Sequence, residues 1–144
     1  MITMLIIAAV GASGCAALRW YLCREGRREE DLWGGRVRLT ALWNRGGAFG
    51  LPVERRALAA LSGAALVSLV PLGRRSPAAA GLALGGGLAN LWERVRHGRV
   101  FDYLRFPRAP GPLKRYVYNL ADLLLFLGAA GLLLGRLRRG RGKH

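Results

Sequence analysis

Four predominantly apolar stretches, at residues 2–18, 57–72, 77–92 and 117–135, alternate along the chain with basic and polar segments. Each is at or slightly below the roughly 17 to 25 residues that a membrane-spanning helix needs. The runs ALAALSGAALVSLV and AAAGLALGGGLANLW show almost no polar face, which a helix of a soluble bundle would carry. The pattern therefore predicts four spanning helices. Pro71 ends the second stretch, Arg74 and Arg75 follow it, and Ser76 and Pro77 turn the chain back, so stretches two and three form a tight helical hairpin. Between the first two stretches the period changes. Residues 36–43 alternate, with Val37, Leu39, Ala41 and Trp43 on one face, which predicts a strand. It runs into NRGGAFG, where Gly46, Gly47 and Gly50 suit either a strand edge offered to an extended peptide or a plain hairpin turn.

Composition sharpens this picture. The 144 residues are 52% hydrophobic yet carry a formal charge of +15, from 23 Lys and Arg against 8 Asp and Glu. Such an excess also suits nucleic-acid binding. Here it is confined to the segments between apolar stretches, where basic residues meet anionic headgroups, so membrane lipid is the expected partner and nucleic acid is not. The tail GRLRRGRGKH reads as a disordered, lipid-facing end, leaving one domain over residues 1–136 and a basic cytoplasmic tail over 137–144. Cys15 and Cys23 are too few for a disulfide framework. The first stretch ends in ASGC, as a lipidated signal peptide could. No Lys or Arg precedes it, Ala12 stands three residues before Cys15, and the charges begin only at Arg19, so a retained helix is expected.

Ionisable groups are costly in lipid, which makes the acids within or beside the apolar stretches the informative ones. Of the three Asp, Asp31 belongs to the charged run REGRREED and reads as solvated. Asp102 follows the third stretch by about ten residues, and Asp122 lies within VYNLADLLLFLGAAGLLL. If stretches three and four are antiparallel neighbours, both carboxylates reach the same membrane surface. Two carboxylates in a partly desolvated site cannot both ionise cheaply, so one keeps its proton while the other acts as base towards water, as in an aspartic peptidase. The alternative is that Asp122 caps the fourth helix or pairs with an Arg. Asn119 lies three residues before Asp122, and Asn90, Glu93 and Arg94 share one face near the end of the third stretch, a cluster able to orient the two acids.

Three segments carry a resemblance to a known family, lipoprotein signal peptidase (signal peptidase II). NRGGAFG resembles its N-x-G-x-A-F-G segment at Asn44, Gly46, Ala48, Phe49 and Gly50. GGGLANLWERVRHGRVFDYL is similar to its GG-x-x-G-N-x-x-D-R-x-x-x-G-x-V-x-D-F segment at Gly86, Asn90, Arg94, Gly98, Val100 and Asp102. YNLAD is similar to F-N-x-A-D at Asn119, Ala121 and Asp122. The resemblance implies an all-α polytopic fold of four transmembrane helices, with a small extracytoplasmic β-cradle at about residues 32–52, between helices 1 and 2. It implies Asp102 and Asp122 as the catalytic dyad, with Asn44, Gly50, Asn90, Arg94 and Asn119 positioning substrate or dyad. Neither metal, cofactor nor covalent intermediate is implied. The implied substrate is a diacylglyceryl prolipoprotein, cut just before its lipidated Cys by a monomeric enzyme of the bacterial inner membrane with its site near the extracytoplasmic face.

The chain also departs from the family pattern. Cys15 and Arg19 stand where the first helix carries Asp and Lys, Glu93 replaces Asp, Ala89 replaces Gly, and Tyr103 replaces Phe. With both termini cytoplasmic, 7 Lys and Arg lie inside against 16 outside, the reverse of the positive-inside rule. The family orientation is expected nonetheless, because the outer segments carry folded structure. An inactive relative that binds lipidated signal peptides and a cationic membrane scaffold are the alternative readings.

Overall fold

A computed structural model describes residues 1–24, 29–45 and 54–141. Four long helices and a four-stranded antiparallel sheet follow one another as α1 (Ile2–Arg24), β1 (Glu30–Leu32), β2 (Val37–Asn44), α2 (Arg55–Leu69), α3 (Pro77–His97), β3 (Val100–Arg105), β4 (Val117–Tyr118) and α4 (Leu120–Arg141). The expected hairpin is present: α2 ends at Leu69, a 3-10 turn spans Pro71–Arg74, and Pro77 opens α3, where its missing N–H costs nothing. The helix α4 continues through Arg141, well into the basic tail predicted as disordered, because Leu and Arg are good helix formers.

Among the described residues three helical segments, Ile2–Arg24, Arg56–Arg74 and Leu120–Arg139, are long and apolar enough to cross a membrane. Large side chains such as Leu61, Val67, Leu127 and Leu133 point outward from them. The helix α3 is different. It packs against α1, α2 and α4, and Ala80, Gly81, Ala83, Leu84, Gly85 and Gly86 are buried. Its small residues let neighbouring backbones approach closely, which is how helices associate where lipid removes the usual hydrophobic drive. A Cβ added at Gly85 would lie 2.7 Å from the Ala8 carbonyl oxygen of α1. One added at Gly86 would strike the Ala121 carbonyl oxygen and lie 3.0 Å from the Leu124 Cβ of α4.

The sheet, in the order β1-β2-β3-β4, corrects the expectation of a cradle built only between the first two helices. Half of its strands come from the segment between α3 and α4. Gly98 ends α3 in the left-handed conformation at φ 70, its N–H bonded to the Arg94 carbonyl at 3.0 Å, and turns the chain directly into β3. The predicted strand is β2, but its alternation does not hold throughout. Leu39 pairs with Leu104 and Leu42 with Asp102, so β2 carries one extra residue between them, a β-bulge. Beyond it Leu42 and Asn44 occupy the face that Ala41 and Trp43 would otherwise hold. Trp43 instead pairs with Phe101, their rings 5.0 Å apart, and the Arg99 guanidinium sits 4.2 Å from the Trp43 ring.

Gly86→Ala is expected to lower the thermal transition of the protein in detergent by forcing α3 and α4 apart, an overpacking cost of about 1–3 kcal/mol. Gly63→Ala, where an added Cβ meets nothing within 4 Å, should leave the transition unchanged or slightly higher. Equal melting of the two variants would refute the close-packing account.

Candidate active site

The fourth helix starts with a reciprocal cap. The Asn119 side-chain oxygen accepts the Asp122 N–H at 2.9 Å, and an Asp122 carboxylate oxygen accepts the Asn119 N–H at 3.0 Å. This is a capping box written with Asn and Asp, and it satisfies two amides that a helix N-terminus leaves without partners. A third, that of Leu120, donates to the buried Tyr103 hydroxyl at 3.0 Å. The alternative reading of Asp122 as a cap is therefore geometrically correct, and its capping role does not use up the carboxylate. The other Asp122 oxygen accepts from the Asn90 amide of α3 at 2.9 Å.

The same network reaches Asp102. The Asn119 amide nitrogen donates to one Asp102 oxygen at 2.8 Å and to the Asn90 side-chain oxygen at 3.1 Å. The other Asp102 oxygen accepts from the Asn44 amide at 3.1 Å. That bond exists because the β2 bulge shifts the phase of the strand and brings Asn44 onto the face of Asp102. Three amide side chains, from β2, α3 and the start of α4, thus hold two carboxylates. Burial pushes the Asp102 carboxyl up to about 6, against the lowering pull of Asn44; the nearby Asp122 adds to the rise, while Asn119 and the Arg94 charge oppose it.

Asn44, Asn90, Arg94, Asp102 and Asp122 line one cavity of about 650 Å³. Its walls are Leu58, Ser62 and Leu66 of α2, Leu125 and Phe126 of α4, and Trp43, Arg115, Tyr116 and Tyr118 from the sheet side. Asn119 is buried behind the two carboxylates and joins them. Gly50 lies outside the described residues. Glu93, expected to face the two acids, turns elsewhere. It accepts the Phe101 N–H at 2.8 Å and pairs with Arg19 of α1 at 3.4 Å, fastening the end of α3 to both β3 and α1.

Sequence reasoning marked Tyr103 as a departure from the family's Phe but gave it no role, and it did not single out the aromatic wall. The hydroxyl that Tyr103 adds to the family's Phe was the available signal, since a buried phenol needs a partner. Chemically, the site offers two carboxylates of differing environment, oriented by amides, at the polar end of an otherwise apolar cleft. Among the described residues no group of three or more His, Cys, Asp or Glu side chains could hold a metal ion.

Comparison with known proteins shows the family and the fold. The family model for signal peptidase (SPase) II matches residues 4–138, and the chain belongs to that family. It is 37% identical over 107 residues to a lipoprotein signal peptidase of Methylorubrum extorquens, the match covering 67% of this chain and 61% of that protein. The chain thus spans less than two thirds of that relative's length. It is also 37% identical over 115 residues to a lipoprotein signal peptidase of Burkholderia mallei, covering 72% and 68% of the two chains. Two solved bacterial membrane enzymes, both determined by the in meso method, share the fold. One has a TM-score of 0.88 at 19% identity over 100% of this chain and 93% of its own. The other has 0.82 at 18% identity over 95% and 94%.

Asn44→Ala removes a donor to the ionised Asp102, so the midpoint of that carboxyl should rise above about 6. A lost charge-assisted hydrogen bond corresponds to about one pH unit. Deleting Ala41, which removes the bulge and turns Asn44 away, should act in the same direction. Infrared titration of the carboxyl stretch would read both; an unmoved midpoint in the two variants would refute the role assigned to the bulge.

Proposed function

We propose that this member of the signal peptidase II family is an intramembrane aspartic endopeptidase that removes signal peptides from diacylglyceryl prolipoproteins, cutting just before the lipidated Cys. The observation that carries this reading is the pair Asp102 and Asp122 in one cavity, held by Asn44, Asn90 and Asn119. One proton is shared by the pair, so one carboxylate takes a proton from the attacking water while the other carboxyl polarises the scissile carbonyl. Collapse of the resulting tetrahedral diol passes a proton to the leaving amine and restores the shared-proton state. The Arg94 charge keeps the doubly acidic pocket from taking up a second proton readily.

In this reading all four long helices span the membrane. The helix α3 has 21 residues, enough to cross, and its Glu93 and Arg94 fall in its last turns beside the site. A helix surrounded by three others needs no apolar exterior of its own, which accounts for its modest hydropathy. The site then lies near the extracytoplasmic face of the inner membrane. The excess of Lys and Arg on that side is carried partly by strands, as with Arg38 and Arg105, whereas the charge rule concerns short loops. The apolar wall from α2 and α4 fits a signal-peptide segment and acyl chains, both of which are apolar.

Asp102→Asn and Asp122→Asn should each leave membrane insertion intact, since Asn preserves the shape and one acceptor of the cap, while reducing cleavage of a diacylglyceryl-cysteine peptide by at least about a thousand-fold. Unchanged cleavage in either variant would rule out the dyad. Retained lipopeptide binding without any cleavage by the unmodified chain would instead favour an inactive, binding relative.

A further inference from the structure

The cavity carries more positive charge than the Arg94 that the hydrolytic site uses. Among the described residues on its wall, Arg45, Arg94 and Arg115 are basic and the carboxylates are those of Asp102 and Asp122. Because the two acids share a proton, the positive charge dominates. Arg94 sits beside the carboxylates and influences Asp102 directly. Arg45, which follows β2, and Arg115, which precedes β4, are exposed, and among the described residues neither belongs to an ion pair. Among the described residues, then, no ion pair ties either guanidinium to the fold, and both stand on the wall of one cleft.

The cleft is also polarised along its length. Leu58, Leu66, Leu125 and Phe126 form its apolar part on α2 and α4, whereas Arg45 and Arg115 lie at the sheet end. An apolar signal segment lies against the helices, so chain on the other side of the scissile bond leaves past the sheet. We infer that Arg45 and Arg115 select substrates with acidic residues in the first few positions after the lipidated Cys, disfavouring basic ones. This inference rests on the peptidase reading above. The interaction is with peptide carboxylates at a partly exposed mouth, where each pair contributes modestly and is screened by salt. Two such pairs together correspond to about a five-fold preference.

The test uses the purified full chain in uncharged detergent with three diacylglyceryl-cysteine peptides that differ only in the two residues after the Cys: Asp-Asp, Ala-Ala or Lys-Lys. At low salt, kcat/KM for the acidic peptide should exceed that for the basic one by about five-fold, and the ratio should fall towards one as salt rises. Arg45→Glu combined with Arg115→Glu should invert the ratio, and the milder pair Arg45→Gln and Arg115→Gln should bring it to one. Ratios between peptides are insensitive to how much of a variant folds. Equal rates for the three peptides, or the same preference in both double variants, would overturn the proposal. So would acceleration of all three peptides alike by vesicles containing phosphatidylglycerol with no dependence on peptide charge, which would assign the arginines to lipid headgroups. If even the Ala-Ala peptide is not cut, the peptidase reading itself fails and takes this preference with it; cleavage without charge preference removes the preference alone.

Discussion

The structure depends on one side-chain amide, that of Asn119. Its oxygen accepts the Asp122 N–H within the cap of α4, and its nitrogen donates both to Asp102 on β3 and to Asn90 on α3. The beginning of a helix, the position of a strand and the polar end of a neighbouring helix are therefore fixed relative to one another by a single planar group. In a low-dielectric setting such a network is stable only if it is closed, because an unmatched donor or acceptor pays its full desolvation cost. It is closed here: among the described residues no buried side-chain nitrogen or oxygen lacks a partner.

That network can form only because α3 and α4 approach closely. Gly86 faces the Ala121 carbonyl, one residue before Asp122 and four before Asn90, so the packing contact and the polar contact occupy successive turns of the same helix pair. A larger residue at Gly86 acts on the site through backbone separation, with no contact to either carboxylate. On the opposite side of α3, Gly85 and Gly81 admit α1, which brings Arg19 to Glu93. Glu93 in turn holds the Phe101 amide, next to Asp102. The small residues of α3 and the polar residues at its end are two parts of one arrangement, the first setting distance and the second orientation.

Much of this was legible in the sequence for local reasons. Apolar runs bounded by Pro71, Ser76 and Pro77 place α2 and α3, and the spacing of Asn119 and Asp122 is that of residues brought together by one helical turn. The strand β2 was legible from its alternation, but its bulge was not, since an extra residue announces itself only through the register of a partner strand. Strands β3 and β4 were missed for a similar reason. VFDYLR mixes a buried acid with buried aromatics, and its strand character comes from pairing with β2, a contact over about sixty positions that no local period records. The sheet was accordingly assigned to one loop when two supply it. Glu93 was grouped with the site by helical face alone, and the αL turn at Gly98 sends the chain back so that β3 reaches its carboxylate first.

The departures from the family pattern can now be sorted by what each touches. Cys15 is buried and replaces an acid within a span, which removes a charge that lipid would penalise. Arg19 and Glu93, standing where Lys and Asp are usual, pair with each other, and the longer Glu also reaches the Phe101 amide. Tyr103 supplies an acceptor for the Leu120 N–H that a Phe would lack. None of these four side chains donates to or accepts from the Asp102 or Asp122 carboxylates in the bonds described above. Each acts on the supports of the site: the depth of α1, the junction of α3 with β3, and the first turn of α4. Sequence change at these places alters how firmly the two carboxylates are held while their own partners, Asn44, Asn90 and Asn119, stay as the family pattern has them. A chain can therefore diverge at Cys15, Glu93 and Tyr103 together and still present the same pair of acids to the same cleft.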